Sequence, residues 1–300
     1  MTVAAIDCGT NTIKLLVGDL PDVALRESRM VRLGQGVDRT GRLSDEALAR
    51  VFAAIDDYAA LIAAHDVTRL RFCATSATRD AANAQVFGDG VFARLGVRPE
   101  VLSGDEEAAL AFAGAVRNLA VLPEAPVLVV DIGGGSTELI LGSTAPESAV
   151  SMDIGSVRLH ERHLHSDPPT AAEIAACVAD IDAALDAVPE AEISPADAAT
   201  VVGIAGTVTT VAAGVLDLPA YEREAIDQQV VTVAAVHDFV DRLVAMPVAE
   251  RLTLPYLHPG RADVIDAGAL ILSRILRRTP ATTMLVSESD ILDGIAWSIA

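Results

Sequence analysis

The sequence predicts an α/β protein made of two related domains, residues 1–124 and 125–300, with a cleft between them. Three observations predict it. Short apolar strand-like runs alternate with segments of helical periodicity along most of the chain. A unit of strand, Asp, glycine-rich turn and strand occurs twice, as Ile6-Asp7-Cys8-Gly9-Thr10-Asn11-Thr12 and as Val130-Asp131-Ile132-Gly133-Gly134-Gly135-Ser136-Thr137. The stretch from Pro123 to Pro126 breaks the pattern just before the second copy. At 300 residues and 51% hydrophobic, the chain has material for two cores. Aromatics are 3%, so Ala, Val, Leu and Ile must fill them.

In the first domain, Val3 to Ile6 and Ile13 to Val17 are the strands flanking the first turn. A basic loop follows, with Arg26, Arg29, Arg32, Arg39 and Arg42. Ser44 is placed to cap a helix reaching about His65, whose Leu48, Val51, Phe52, Ile55, Leu61 and Ile62 recur at helical spacing. Val67 to Ala74 reads as a strand, Thr75 to Asp80 as a polar loop entering a helix, and Val97 to Leu102 as another strand. Ser103-Gly104-Asp105-Glu106-Glu107 opens a helix to about Leu119.

The second domain restarts the pattern. Val127 to Val130 and Leu139 to Leu141 flank the second turn, and a third strand lies near Ala149 to Ile154. Ser166 to Thr170 breaks the chain before a helix to about Val188. Thr200 to Ala205 is a strand running into Gly206-Thr207-Val208-Thr209-Thr210. Residues 261–278 read as a long amphipathic helix, 282–287 as a strand and 289–300 as a terminal helix.

Net charge is −20, which argues against general nucleic-acid or anionic-membrane binding. The charge is uneven: residues 1–125 hold 17 acidic and 13 basic side chains, residues 126–300 hold 25 and 9. Lys14, beside the first turn, is the only lysine. An anionic substrate would have to be drawn by a local field. Cys8, Cys73 and Cys177 have no metal-binding or disulfide spacing, which fits a reducing cytosol; Cys8 reads as a small apolar filler. The N-terminus enters a strand at once and no apolar run approaches membrane-spanning length, so the expectation is a cytoplasmic protein.

The two turns point to phosphate. Glycine lets backbone N–H groups face an anion at close range, and Ser or Thr hydroxyls add donors. Gly9, Thr10, Asn11, Thr12 and Lys14 form the first candidate set; Gly133, Gly134, Gly135 and Ser136 form the second. The strand-end residues Asp7 and Asp131 are hard oxygen ligands suited to Mg²⁺, and Glu138 could share an ion with Asp131 across the second turn. Ser76, Thr78 and Arg79 sit at a strand-to-helix transition, and Arg158 sits similarly after Ile154-Gly155-Ser156. Gly206 and Thr207 could hold a further phosphate or a nucleobase. Only one of Glu106 and Glu107 can face a site, because adjacent helical positions point about 100° apart; either could serve as general base, and spacing does not choose. His160, His163 and His165 are read as solvated helix residues rather than a zinc site.

These residues resemble the exopolyphosphatase / guanosine pentaphosphate phosphatase family, within the actin and sugar-kinase-like ATPase superfamily. The matching segments are Asp7 to Val17, Ala74 to Ala81 with Asn83, Ser103 to Ala108, Asp131 to Glu138, Ile154 to Leu159, Gly206 to Thr210 and Pro259 to Ile265, in family order across nearly the whole chain. The resemblance implies two ribonuclease H-like domains around a central cleft, and release of terminal phosphate from inorganic polyphosphate, or from guanosine pentaphosphate, with Mg²⁺ or Mn²⁺; the other alternative is a non-catalytic sensor of polyphosphate or an alarmone. It implies Glu107 as catalytic base, Arg79 as an arginine of the hydrolytic step, Asp131 and Glu138 as metal-associated carboxylates, and a homodimer. Thr10 and Thr12 stand where many members have Ser, and Lys14 where Arg or His is common. Many relatives carry added C-terminal helical domains that this chain lacks, so short polyphosphate chains are the expected substrates. Arg251 and Arg261 fall where the family also places basic residues.

Overall fold

The computed structural model describes residues 1–189 and 192–300. They divide into two compact units, Met1–Gly114 with Ile291–Ala300, and Ala115–Asp290. The division falls inside the helix Gly104–Arg117 rather than at residue 125, and the final helix, Ile291–Trp297, joins the first unit. There Gly294 lets this helix approach the Leu110 carbonyl: a Cβ at Gly294 would lie 2.0 Å from that oxygen. Arg26 is also ion-paired to Asp293. No helix among the described residues is long and apolar enough to cross a membrane.

The first unit is built on a five-stranded sheet: β1 (Val3–Cys8), β2 (Thr12–Asp19), β3 (Asp22–Met30), β4 (Arg69–Ala74) and β5 (Glu100–Val101), in the order β3-β2-β1-β4-β5. β1, β2 and β3 form an antiparallel meander, and β4 and β5 add in parallel beyond β1. Every residue of β1 is buried, as expected of a central strand covered on both faces. The helix Asp45–Ala63 begins at Ser44, whose side chain accepts from the Ala47 N–H, and it buries Leu48, Val51, Ile55 and Tyr58. The Tyr58 hydroxyl, inside that core, donates to the Ile13 carbonyl at 2.9 Å.

The segment read as a basic loop is in part β3, an edge strand whose nine residues are all exposed or only half-buried. Little of its apolar alternation survives past Leu25 because neither of its faces is buried, so polar residues fill it. The predicted strand Val97 to Leu102 shrinks to the two residues of β5.

The second unit repeats this plan with β6 (Val127–Ile132), β7 (Thr137–Gly142), β8 (Pro146–Met152), β9 (Thr200–Ile204), β10 (Val230–Thr232) and β11 (Thr283–Val286), ordered β10-β11-β9-β6-β7-β8. Again the first three strands form a meander, and β9 and β11 follow in parallel beyond β6, with β10 as an extra antiparallel edge. Both sheets thus share one strand order, the ribonuclease H-like arrangement. The fold is α/β with two such domains, and the duplicated turn marks the first hairpin of each. Thr170 and Glu173 form a reciprocal capping box at the helix Ala171–Asp186.

The expected amphipathic helix is Ile265–Leu276, and all its residues but Arg274 are buried. Its polar positions are satisfied internally. Arg251, 1% exposed, pairs with Asp266 through Nη1 at 2.8 Å; Nη1 also donates to the Ala262 carbonyl, Nε to that of Leu243 and Nη2 to that of Val244. Arg251 therefore clamps the second core rather than reaching a ligand. Removing one member of such a buried pair leaves an uncompensated charge. Arg251→Ala is expected to lower unfolding free energy by about 3–5 kcal/mol, read by urea denaturation. A loss within about 0.5 kcal/mol, the range of an ordinary surface change, would contradict this role.

Candidate functional site

Each unit carries its half of the predicted machinery where the carboxyl ends of its parallel strands meet loops, the usual ligand edge of such sheets. In the first unit, β1 delivers Asp7 and Cys8, and the turn closes as the Gly9 N–H donates to the Thr12 carbonyl at 2.9 Å. In the second, β6 delivers Asp131, and the Gly133 N–H donates to the Ser136 carbonyl at 3.0 Å. The two turns close in the same way on the same spacing.

The register makes the two copies chemically different. Asp7 on β1 pairs with Lys14 on β2, and Asp131 on β6 pairs with Glu138 on β7. Directly opposed residues put their side chains on one face, with Cβ atoms about 4.5–5.5 Å apart. Lys14 Nζ lies 3.5 Å from Asp7 Oδ2, so the first turn carries its own counter-charge. Asp131 and Glu138 are 6% and 1% exposed, and the Ser151 hydroxyl, from the next strand, donates to Glu138 Oε1 at 2.6 Å. Two buried carboxylates set side by side favour a shared proton or a cation. Oxygen ligands in this number suit Mg²⁺, which takes one or two carboxylates and completes its shell with phosphate and water. Among the described residues no three His, Cys, Asp or Glu side chains group as an all-protein metal cage.

A second segment props the first turn. The Val31 and Arg32 N–H groups donate to the Asn11 carbonyl, and the Gly34 N–H to the Thr10 carbonyl at 2.8 Å. Gly34 is needed for this approach, since a Cβ there would stand 2.3 Å from Thr10 Cγ2. Asn11 Oδ1 and Thr78 Oγ1 are buried with no hydrogen-bond partner among the described residues, polar capacity open to a ligand or water. Cys8 is 1% exposed, and burial pushes its thiol well above the ordinary value, so it is a core residue and not a nucleophile.

β4 runs parallel to β1, and the Thr75 N–H donates to the Cys8 carbonyl at 3.2 Å, which places Ser76, Thr78 and Arg79 beside the first turn. Ser76 and Thr78 are buried. Arg79 Nη1 donates to Glu107 Oε2 and to the Leu102 carbonyl, each at 2.9 Å.

Structure separates the two glutamates that spacing left open. Glu106 Oε2 accepts from the Ser103 N–H and hydroxyl, both at 2.9 Å, and the Glu106 N–H returns to Ser103 Oγ; it is the capping carboxylate of its helix. Glu107 is buried, 7% exposed. Burial pushes its carboxyl up to about 7, against hydrogen bonds from Arg79 and Thr75 and aided by the charge of Asp7. A carboxylate held near neutrality beside a guanidinium is suited to general-base work. The Ser103-x-x-Glu106 spacing was the available signal for this separation, whereas the Thr75 and Ser151 contacts had none in local sequence.

In the second unit the helix Ser156–His163 abuts the turn. The Ser156, Val157 and Arg158 N–H groups donate to the carbonyls of Gly133 and Gly134, and Arg158 Nε donates to the Gly135 carbonyl at 2.7 Å. Gly155 permits this, since a Cβ there would lie 2.5 Å from Gly134. Arg158 therefore holds the turn in shape. β9 lies beside β6 and leads into Gly206 and Thr207 at the start of the helix Ala205–Val215, the counterpart of Ser76 after β4. The Arg261 guanidinium covers Gly206, with Nη1 1.5 Å from where a Cβ would be, so the close approach requires glycine there. His163 pairs with Asp180, and His160 lies 3.8 Å from Asp266.

Residues 13–300 match the family described as the Ppx/GppA phosphatase family. The chain is 46% identical to Exopolyphosphatase 2 of Mycobacterium tuberculosis, covering 99% of this chain and 98% of that protein. It superposes on the crystal structure of an exopolyphosphatase-like protein with a TM-score of 0.96 at 42% identity, covering 99% and 98% of the two chains. For an exopolyphosphatase from Cytophaga hutchinsonii ATCC 33406 the TM-score is 0.91 at 26% identity, covering 100% and 97%.

The displaced carboxyl of Glu107 has a stability consequence. A native value near 7, against an ordinary 4.5, means the native state holds this proton more tightly. The associated stability is full below about 4.5 and is lost as pH rises through about 7. Urea denaturation should therefore show wild type losing stability relative to Glu107→Gln across that window, by up to about 3 kcal/mol, and no further loss above it. A difference independent of pH would give Glu107 an ordinary carboxyl.

Proposed function

Because the chain belongs to the Ppx/GppA phosphatase family, we infer that it is an exopolyphosphatase, which hydrolyses the terminal phosphoanhydride bond of inorganic polyphosphate and releases orthophosphate. The observation that carries this reading is the pairing of buried Glu107 with half-buried Arg79 beside the first glycine turn, in a chain 46% identical over its length to a named exopolyphosphatase. Glu107, ionised near neutral pH, accepts a proton from water as the water oxygen attacks the terminal phosphorus. The bond to the bridging oxygen breaks, and the shortened chain leaves with that oxygen and its charge. Arg79 orients Glu107, and the N–H groups and hydroxyls of Thr10 to Thr12 in the same unit meet the spreading negative charge, which is most of what phosphoryl transfer requires.

Asp131 and Glu138 would hold Mg²⁺ or Mn²⁺, which supplies positive charge against phosphate oxygens. Asp7, already beside Lys14, contributes through that pair and through its field on Glu107. The reading also carries a homodimer in the cytoplasm.

Phosphate release from polyphosphate, guanosine pentaphosphate and ATP, each with and without Mg²⁺, tests the reading. Polyphosphate should be turned over best and only with the metal. Glu107→Gln should lose about 10²- to 10⁴-fold in kcat with KM little changed. The wild-type kcat should fall on the acid side of about pH 7, because the base must be ionised. Preferred turnover of guanosine pentaphosphate would reassign the substrate, and near-normal turnover by the variant would remove Glu107 from the role.

A further inference from the structure

The first unit contains eleven arginines, and nine are engaged. Arg26 is paired with Asp293, Arg29 with Asp57, Arg71 with Glu100, Arg79 with Glu107, Arg94 with Asp56 and Arg98 with Asp89. Arg50 and Arg69 donate to backbone carbonyls, and Arg32 also has partners. Arg39 and Arg42 remain, both exposed, and neither guanidinium has a hydrogen-bond or ion-pair partner among the described residues. In a chain of net charge −20, they are the uncommitted arginine charge of this unit.

Their setting is built. They sit on a turn bounded by Gly36 and Gly41, whose φ values of 76° and 63° are left-handed, and a side chain at either would strain the backbone. Val37 and Leu43 anchor the turn in the core. At one end it continues from the segment whose Gly34 N–H holds the Thr10 carbonyl of the phosphate turn. At the other, the Ala82 N–H donates to the Gly41 carbonyl at 2.9 Å, and the Asn83 amide both accepts from the Leu43 N–H at 2.8 Å and donates to its carbonyl at 2.9 Å. Ala82 and Asn83 directly follow the segment carrying Arg79. The turn is thereby tied to both phosphate-directed pieces of the unit, on a frame that fixes where the backbone presents its two arginines.

We propose that Arg39 and Arg42 form a second anion subsite, which holds phosphate groups of a polyphosphate chain beyond the one being hydrolysed. This rests on the exopolyphosphatase reading and adds to it a place for the remainder of the substrate. Each engaged phosphate releases counterions, so the contribution is steep in salt and grows with chain length until the subsite is reached. Guanidinium suits it, since its planar donors match phosphate oxygens in pairs.

The test compares long-chain polyphosphate with tripolyphosphate. In the double variant Arg39→Ala with Arg42→Ala, the ratio of kcat/KM for long chains over tripolyphosphate should fall about tenfold at low salt, and log KM for long chains should depend less steeply on log salt by about one to two. The double Lys replacement should restore much of the ratio, and Arg277→Ala, which removes an exposed arginine from the other unit, should leave it unchanged. Equal losses on both substrates, or no change in the ratio, would overturn the subsite. Equilibrium binding of long-chain polyphosphate reads the subsite even without turnover: a Kd raised about tenfold in the double variant supports it, and an unchanged Kd removes it. Wild-type protein that binds long chains through these arginines yet releases no phosphate would sink the hydrolase reading alone.

Discussion

Everything chemical in this chain depends on the register of two hairpins. A tight turn of fixed length sets which residues face each other across the strands, and the pleat sends opposed side chains to one face. In both copies the strand-end Asp is opposed by the residue seven positions on, Lys14 in one and Glu138 in the other. From a single backbone plan the protein obtains one turn with its counter-charge built in and one with two buried carboxylates side by side. A one-residue slip in either hairpin would turn these side chains to opposite faces and dismantle the arrangement.

Desolvation then tunes what the register has placed. Glu107 is held near neutrality because burial strips it of water and the Asp7 charge disfavours its ionised form. Arg79 limits the shift without cancelling it, since its side chain is a quarter exposed and partly screened by solvent. Glu106, one residue earlier, is spent on the helix start. Neighbouring carboxylates of the same type thus do unrelated work because a helix turns each residue to a new direction.

Arginine shows the same division. Nearly every guanidinium in the first unit is consumed by a carboxylate or a carbonyl, and Arg251 in the second is enclosed entirely. Arg158 and Arg261 look alike in sequence as potential anion ligands. One donates to a carbonyl of the second glycine turn, and the other packs over Gly206. A basic residue near a phosphate loop is therefore informative only once its partners are known.

The glycine turns, their flanking strands, the helix capped at Ser44, the helix that follows the break at Ser166 to Thr170 and the α/β class are legible in sequence, because each rests on contacts a few residues apart. β3 has no alternating pattern to distinguish it from a loop, because neither of its faces is buried. The unit boundary was placed at 125, but the helix Ile291–Trp297 is claimed by the first unit through Arg26–Asp293 and the Gly294 approach to Leu110. Those contacts join residues 267 and 184 positions apart, and no local pattern announces them. By itself the sequence determined which backbone devices exist and which residue types stand at their tips, because hairpin spacing and capping are local physics. Only the tertiary structure decided that Glu107 rather than Glu106 is desolvated, that Lys14 neutralises Asp7, and which arginines keep their charge uncommitted. Burial and ion pairing are properties of neighbours that the chain brings together only when it folds.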